Sequence, residues 1–346
     1  MTTFPGTTPR TPGLRPRTRI GLLGTGPWAE RTHAPALAAH PDVEFSGVWG
    51  RRPEAAAALA AACGTRAYED ADDLFAASDA VAIALPPDVQ APLAARAAAA
   101  GCHVILDKPV ATTVASARAL ADAVTGAGVA SVVFCTLRFA EPTARWIEEQ
   151  TAAGGWFLGE AHWLGSLFAP GSDSAYAASP WRREKGGLWD VGPHVLSVYL
   201  PILGDVTSVT CVAGPDDTRH LVLRHASGAS STATLTLSAP PEASEAALSL
   251  YGERGRTTMP GWEGAFDAFG AAVDALLEAV RTGKPHACDV RFGARLTEIL
   301  AEAEAEADAE AESRAGVESG AEARAGTRAA AAVATEPAGA ERTARP

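Results

Sequence analysis

Apolar runs of four to seven residues recur along the first half of the chain, separated by longer stretches of helical pattern. Ile20–Leu23, Val43–Trp49, Ala80–Leu85, His103–Pro109 and Ser131–Thr136 read as strands, mostly buried on both faces. Between them Arg31–His40, Pro53–Ala62, Asp70–Ala77, Ala91–Ala100 and Val114–Thr125 read as helices, with Pro41-Asp42, Gly64, Pro86-Pro87 and Gly101 as breaks. This alternation implies an α/β domain built on a doubly wound parallel sheet, a Rossmann arrangement. Ligands of such sheets sit outside the carboxyl ends of the strands. From Leu137 the rhythm changes. Alternating stretches at Glu160–Phe168, Val206–Ala213, His220–His225 and Ser231–Ser238 predict a largely antiparallel, open sheet, accompanied by helices at Ala144–Gln150, Gly264–Arg281 and from about Asp289. The second half therefore reads as an α+β domain.

The first strand runs into Gly24-Thr25-Gly26-Pro27-Trp28-Ala29, a G-x-G-x-x-G/A fingerprint at a strand-to-helix turn. Gly24 permits the tight turn, Gly26 lets the backbone approach a pyrophosphate, and Ala29 allows close helix–strand packing. The helix that follows would offer its free N–H groups to phosphates. The bland alternative is a glycine turn with no ligand. The second strand ends in Val48-Trp49-Gly50-Arg51-Arg52 with no acid at its tip. An acid there would bond the ribose 2′-hydroxyl of NAD, whereas arginine accommodates the 2′-phosphate of NADP. NADP is thus the expected cofactor and NAD the other possibility; the alternative is a pair of solvated arginines.

Composition narrows the function further. A length of 346 residues suits two domains. A net charge of −12 argues against nucleic acid as the main partner. Five scattered cysteines without ligand spacing read as reduced thiols, and no metal site is expected. Neither a signal peptide nor a membrane span is expected, which points to the cytoplasm. The organisation expected is a basic, disordered arm at 1–18, the dinucleotide-binding domain at 19–137 and the α+β domain at 138–300. An Ala/Glu-rich helical extension and disordered tail follow at 301–346. Acids at Glu302, Glu306 and Glu310 repel at helical spacing while alanine favours helix, so a brief continuation is expected, with disorder from Gly316.

The fingerprint, the Pro86-Pro87 strand end and Ala-Gly-Cys-His-Val-Ile-Leu-Asp107-Lys108-Pro109 together resemble the Gfo/Idh/MocA oxidoreductases, the group of glucose–fructose oxidoreductase and inositol dehydrogenase. The family's Glu-Lys-Pro hallmark is here Asp-Lys-Pro, which keeps the lysine and shortens the acid. Gly186-Gly187-Leu-Trp-Asp190-Val-Gly192-Pro193-His194 resembles the family's Gly-Gly-x-x-x-Asp-x-Gly-x-His, and Val290–Leu300 its final helix. The likeness covers about 19–300 in blocks; the Ala-Glu tail departs from it. It implies that Pro86, Asp107 and Lys108 border the cofactor, and that His33 lies near it. A homo-oligomer formed through the C-terminal sheet is also expected.

Asp190 and His194 are four apart, so a helical segment would place them on one face, with Pro193 tolerated only in a first turn. Spacing alone fits a cap-and-core pair equally well; the match with a distant Lys108 favours catalysis. His194 is then the acid/base, Asp190 orients it or binds a substrate hydroxyl, and Lys108 polarises the reacting oxygen. Arg138, Trp181 and Arg182 are candidate substrate contacts. The function expected is hydride transfer between a nicotinamide and a hydroxyl or carbonyl carbon of a sugar, cyclitol or related polyol. A dinucleotide-binding sensor without turnover, or NAD-dependent glycoside cleavage, is the alternative.

Overall fold

The computed structural model describes residues 17–333. The basic arm expected at 1–18 therefore lies outside the described residues, apart from Arg17 and Thr18. Six strands form the first sheet: β1 (Thr18–Leu23), β2 (Val43–Trp49), β3 (Ala67–Tyr68), β4 (Ala80–Ile83), β5 (His103–Asp107) and β6 (Ser131–Phe134). All pairs are parallel and the order is β3-β2-β1-β4-β5-β6, with the direction of winding reversing between β1 and β4. Helices α1 (Ala34–Ala39), α2 (Pro53–Ala62), α3 (Ala71–Ala76), α4 (Pro87–Ala99) and α5 (Val114–Gly126) connect them. Ile20, Leu22, Val81, Ile83, Val104 and Leu106 are all fully buried, as a sheet covered on both faces requires. Helix α4 starts at Pro87, four residues earlier than the pattern predicts, because proline is well suited to a first helical position.

The second half contains α6 (Glu141–Ala153), β7 (Trp156–Leu164), α7 (Pro180–Asp190), α8 (Gly192–Leu203), β8 (Val206–Ala213), β9 (Arg219–His225) and β10 (Ser230–Thr236). These are followed by β11 (Glu245–Gly252), β12 (Gly255–Thr258), α9 (Ala265–Thr282) and α10 (Val290–Val333). The second sheet has the order β12-β11-β7-β10-β9-β8 and is antiparallel except where β10 lies parallel to β7. Strands β11 and β12 are absent from the sequence reading. Glu245-Ala-Ala carries helix formers, and pairing along β7 overrides that local preference.

Helix α10 occupies the region expected as an Ala/Glu-rich helical extension. It runs past Gly316 to Val333, and 334–346 lie outside the described residues. A like-charge pair at i,i+4 costs only about 0.2–0.5 kcal/mol, less than a run of alanines returns in helix preference. Ala303 and Ala307 are also buried in the core, so the expected boundary at residue 300 cuts through a packed helix. α10 lies against α5 and β6 of the first half and against α8 and β8 of the second. Its anchors include the Arg118–Glu298 and Arg295–Asp205 ion pairs.

Candidate active site

The fingerprint loop follows β1 at the carboxyl edge of the first sheet. Gly24 has φ of 132°, and a Cβ there would stand 2.3 Å from the Ala84 carbonyl oxygen, so β1 and β4 meet only because this residue is glycine. A Cβ on Gly26 would meet no protein atom within 4 Å. The protein leaves that space open, as a phosphate approached by bare backbone requires. The chain then enters a π turn, Ala29–His33, before α1; such turns are frequent at functional sites.

A cavity of about 690 Å³ opens in front of this loop. Thr25, Gly26, Pro27, Trp28, Arg51, Arg52, Pro86, Asp107 and Lys108, nine of the ten residues expected at the cofactor, line it; Gly24, the tenth, makes the turn behind them. Arg51 and Arg52 are exposed, and neither has a carboxylate partner among the described residues. The open cradle at Gly26 and the two guanidiniums beyond β2 fit a dinucleotide.

A second cavity of about 520 Å³ adjoins the first and shares Trp28, Asp107, Lys108, Tyr176 and Arg182 with it. Its own wall includes Thr136, Asp190, His194 and Trp262. Lys108 reaches this junction from the end of β5. The buried Gln90 of α4 fixes that tip: its Nε2 donates to the Asp107 carbonyl (2.8 Å) and the Pro109 carbonyl (3.2 Å), and its Oε1 accepts from Asp107 N–H (2.8 Å). The Lys108–Pro109 peptide is cis.

Asp190 ends α7 and His194 stands in the first turn of α8, with Pro193 at its start. The two residues belong to different helices rather than to one face of a single helix, yet both meet the second cavity. Gly186 (φ 63°) and Gly187 make the approach possible. A Cβ on Gly187 would lie 2.8 Å from the Thr236 Cα, so α7 rests directly on β10. Asp217 locks this contact, accepting from Gly187 N–H (2.8 Å), Leu237 N–H (2.9 Å) and the Thr236 hydroxyl (2.7 Å).

Lys108 Nζ donates to the Asp190 carbonyl (2.6 Å) and to its Oδ1 (3.0 Å), while Arg182 Nε sits 3.1 Å from Oδ2. Burial pushes the Asp190 carboxyl up, but the two cations outweigh it and hold the pKa at about 2. Asp107, also buried and less well compensated by Lys108, is pushed up to about 6. Burial, reinforced by the Lys108 charge, drives the His194 pKa well below its usual value and keeps the imidazole neutral. The His194 ring stacks on Trp163 at 4.8 Å; its Nδ1 is sealed and without a partner, while Nε2 keeps contact with the cavity. No hydrogen bond joins Asp190 to His194, so the carboxylate orients Lys108 rather than the imidazole.

Two of the expected substrate contacts lie away from the second cavity. Arg138 does not line the cavity: its Nη1 donates to the Ser197 carbonyl (3.2 Å) and its guanidinium lies over Phe292. Trp181 lines the dinucleotide cavity, with Arg182 stacked 4.6 Å from its ring centroid. Arg182 faces both cavities. His33 packs on Phe269 at 4.0 Å and is fully buried. Sequence reasoning did not single out Gln90, Tyr176 or Asp217, which carry no motif. Among the described residues no group of three or more His, Cys, Asp or Glu side chains could hold a metal ion, and no helix is long and apolar enough to cross a membrane.

Comparison with known proteins identifies the family and the fold. Residues 18–134 match the model of an oxidoreductase family with an NAD-binding Rossmann fold, and 143–258 match the GFO/IDH/MocA C-terminal domain. A dTDP-3,4-didehydro-2,6-dideoxy-alpha-D-glucose 3-reductase of Streptomyces antibioticus is 30% identical over 220 residues, which cover 60% of this chain and 64% of that protein. GenD2 from gentamicin A biosynthesis, solved in complex with NAD, superposes with a TM-score of 0.74 at 21% identity over 88% of this chain and 97% of its own. The WlbA dehydrogenase from Bordetella pertussis, in complex with NADH and UDP-GlcNAcA, gives 0.74 at 23% identity, covering 86% and 98%. With both of its domains matched and the Rossmann, Asp-Lys-Pro and Gly-Gly elements placed around one pair of cavities, the chain belongs to the Gfo/Idh/MocA oxidoreductase family.

Proposed function

We propose that the chain moves a hydride between a nicotinamide dinucleotide, with NADP preferred, and a hydroxyl-bearing or carbonyl carbon of a sugar or polyol. One observation carries this reading: Lys108 stands on the wall common to the dinucleotide cavity and the cavity that holds His194. The bound nicotinamide would supply or accept the hydride; the protein positions and polarises. Lys108 spends two of its three N–H donors on Asp190 and keeps the third for a substrate oxygen. Its charge stabilises alkoxide character there, and Asp190, ionised at any working pH, holds the ammonium in place. His194 is neutral, so its Nε2 can take the hydroxyl proton in oxidation and return it in reduction. The sugar class is supported by the Streptomyces reductase and by the UDP-sugar bound to the Bordetella dehydrogenase. The preference for NADP rests on Arg51 and Arg52, which line the cavity, are exposed and have no carboxylate partner among the described residues. An assembly of copies through the open face of the second sheet, where Val212 and Val222 are exposed, completes the proposal.

The test is absorbance at the reduced-nicotinamide band with a panel of sugars and cyclitols. Lys108→Met and His194→Ala are expected to lower kcat by about 10²–10³-fold while dinucleotide affinity holds. Product formed without net change in that band would replace the proposal with redox-neutral sugar chemistry; binding without any turnover would replace it with a sensor.

A further inference from the structure

Six acids alternate with alanine between Glu302 and Glu312 in α10. On a helix a two-residue repeat sweeps around the axis, so each acid meets a different environment. Glu304 falls on the face that also carries the buried Leu300 and Ala307, four residues before and three after it. Its Oε1 accepts from Trp189 Nε1 at 3.0 Å, and both carboxylate oxygens lie 3.1 Å from Lys185 Nζ. The Lys185 ammonium also sits 5.2 Å above the Trp189 ring centroid. Trp189 is fully buried and directly precedes Asp190, whose carbonyl and carboxylate both receive Lys108. Among the described residues, no other acid of this run bonds to α7.

We propose that Glu304 is a positioning residue: from α10 it anchors the Trp189 indole and thereby fixes Asp190 against Lys108. The proposal rests on reading Lys108 as the group that polarises the substrate oxygen. A misplacement of an ångström at such a site can cost two orders of magnitude in rate, so a cation–carboxylate pair held through one indole is sensitive to its anchor. The acid is also selective in kind. Glutamine retains an oxygen for the indole N–H but gives up the charge that binds Lys185; alanine gives up both.

The chain has three lysines, Lys108, Lys185 and Lys284, so side-chain ¹³C-lysine NMR of the full-length protein with its dinucleotide resolves each one without needing turnover. Glu304→Ala is expected to move the Lys108 and Lys185 signals, to leave Lys284 in place and to lower kcat about tenfold at unchanged dinucleotide affinity. Glu304→Gln should return the Lys108 signal and most of kcat while Lys185 stays displaced; Glu302→Ala should change none of the three. Trp189→Phe, which keeps a buried aromatic ring but removes the indole N–H, should reproduce the Lys108 displacement and serves should Glu304→Ala not fold. A moved Lys108 signal in a protein that turns over no substrate would sink the hydride-transfer reading alone. A Lys108 signal unchanged in Glu304→Ala or in Trp189→Phe, or displaced equally by Glu304→Gln, would overturn the positioning role.

Discussion

The buried histidines set how stability depends on pH. His33, with both ring nitrogens buried and unpartnered, has its pKa pushed down to about 3 by burial, and His194 and His225 are lowered for the same reason. In the unfolded chain each titrates near 6.5. The unfolded state therefore binds more protons below that value, and stability falls as pH drops from about 6.5 toward 3. Asp190, held at about 2, acts in the same direction at lower pH, between 3.8 and 2. Asp107 opposes them: raised to about 6, it binds its proton more readily folded than unfolded, so its contribution grows as pH falls from 6 to 3.8. Urea midpoints should decline from pH 7 to pH 5, and His33→Phe should flatten that slope; an unchanged slope would mean that His33 is not held neutral. The arginine pair offers a second test. Fluorescence titration should show NADPH binding more tightly than NADH, with Arg51→Ala/Arg52→Ala removing the difference; equal affinities in the native protein would move the ribose contact elsewhere.

At the scale of elements, two glycines separate folding from binding. Gly187→Ala drives a methyl into the backbone of β10, where the neighbour cannot yield, and should cost about 1–3 kcal/mol. Gly26→Ala meets nothing in the protein, so its melting temperature should hold while dinucleotide affinity falls. Melting curves beside NADPH titrations read both; a stable Gly187→Ala or a fully binding Gly26→Ala would contradict the assigned roles. The same contrast shows what the sequence disclosed. Glycine, proline and charged tips at strand ends mark backbone geometry locally, so the fingerprint was legible from them, whereas the Lys108 tip and the Asp190–His194 segment were singled out with the help of the family resemblance. Gln90 was not, because a glutamine within an alanine-rich helix looks like any exposed polar residue until β5 is laid beside it. The side chain of Arg138 was no more legible: a guanidinium near a domain crossing can turn to either side, and here it meets the Ser197 carbonyl and the Phe292 ring. Strand β11 depends on β7, far back along the chain, and β12 pairs with β11 alone, so short windows lack the partner that makes either a strand.

For the whole molecule, the C-terminal helix decides where the chain can be shortened. Ending the chain after Leu300 removes Ala303, Glu304 and Ala307 from the packed interior, and its melting temperature should drop sharply; ending it after Arg314 should leave melting and dinucleotide binding near native. Equal melting of the two would show that the alanine face contributes nothing. Sedimentation velocity tests the proposed assembly through the open sheet face: the native chain should sediment as an oligomer and Val222→Asp as a smaller species, and an unshifted profile would overturn that contact.

Helix α10 also constrains how ligands come and go. It is fastened to α5 and β6 on one side and to α8 and β8 on the other, so the two sheets cannot swing apart as jaws without tearing that seam. The chain between β7 and α7, by contrast, lines both cavities through Ser172, Tyr176 and Ser179 and carries much of its surface exposed. Tyr176 of this strip stands with Lys108 on the wall that the two cavities share, so a ligand that reaches that wall meets the strip rather than an opening hinge.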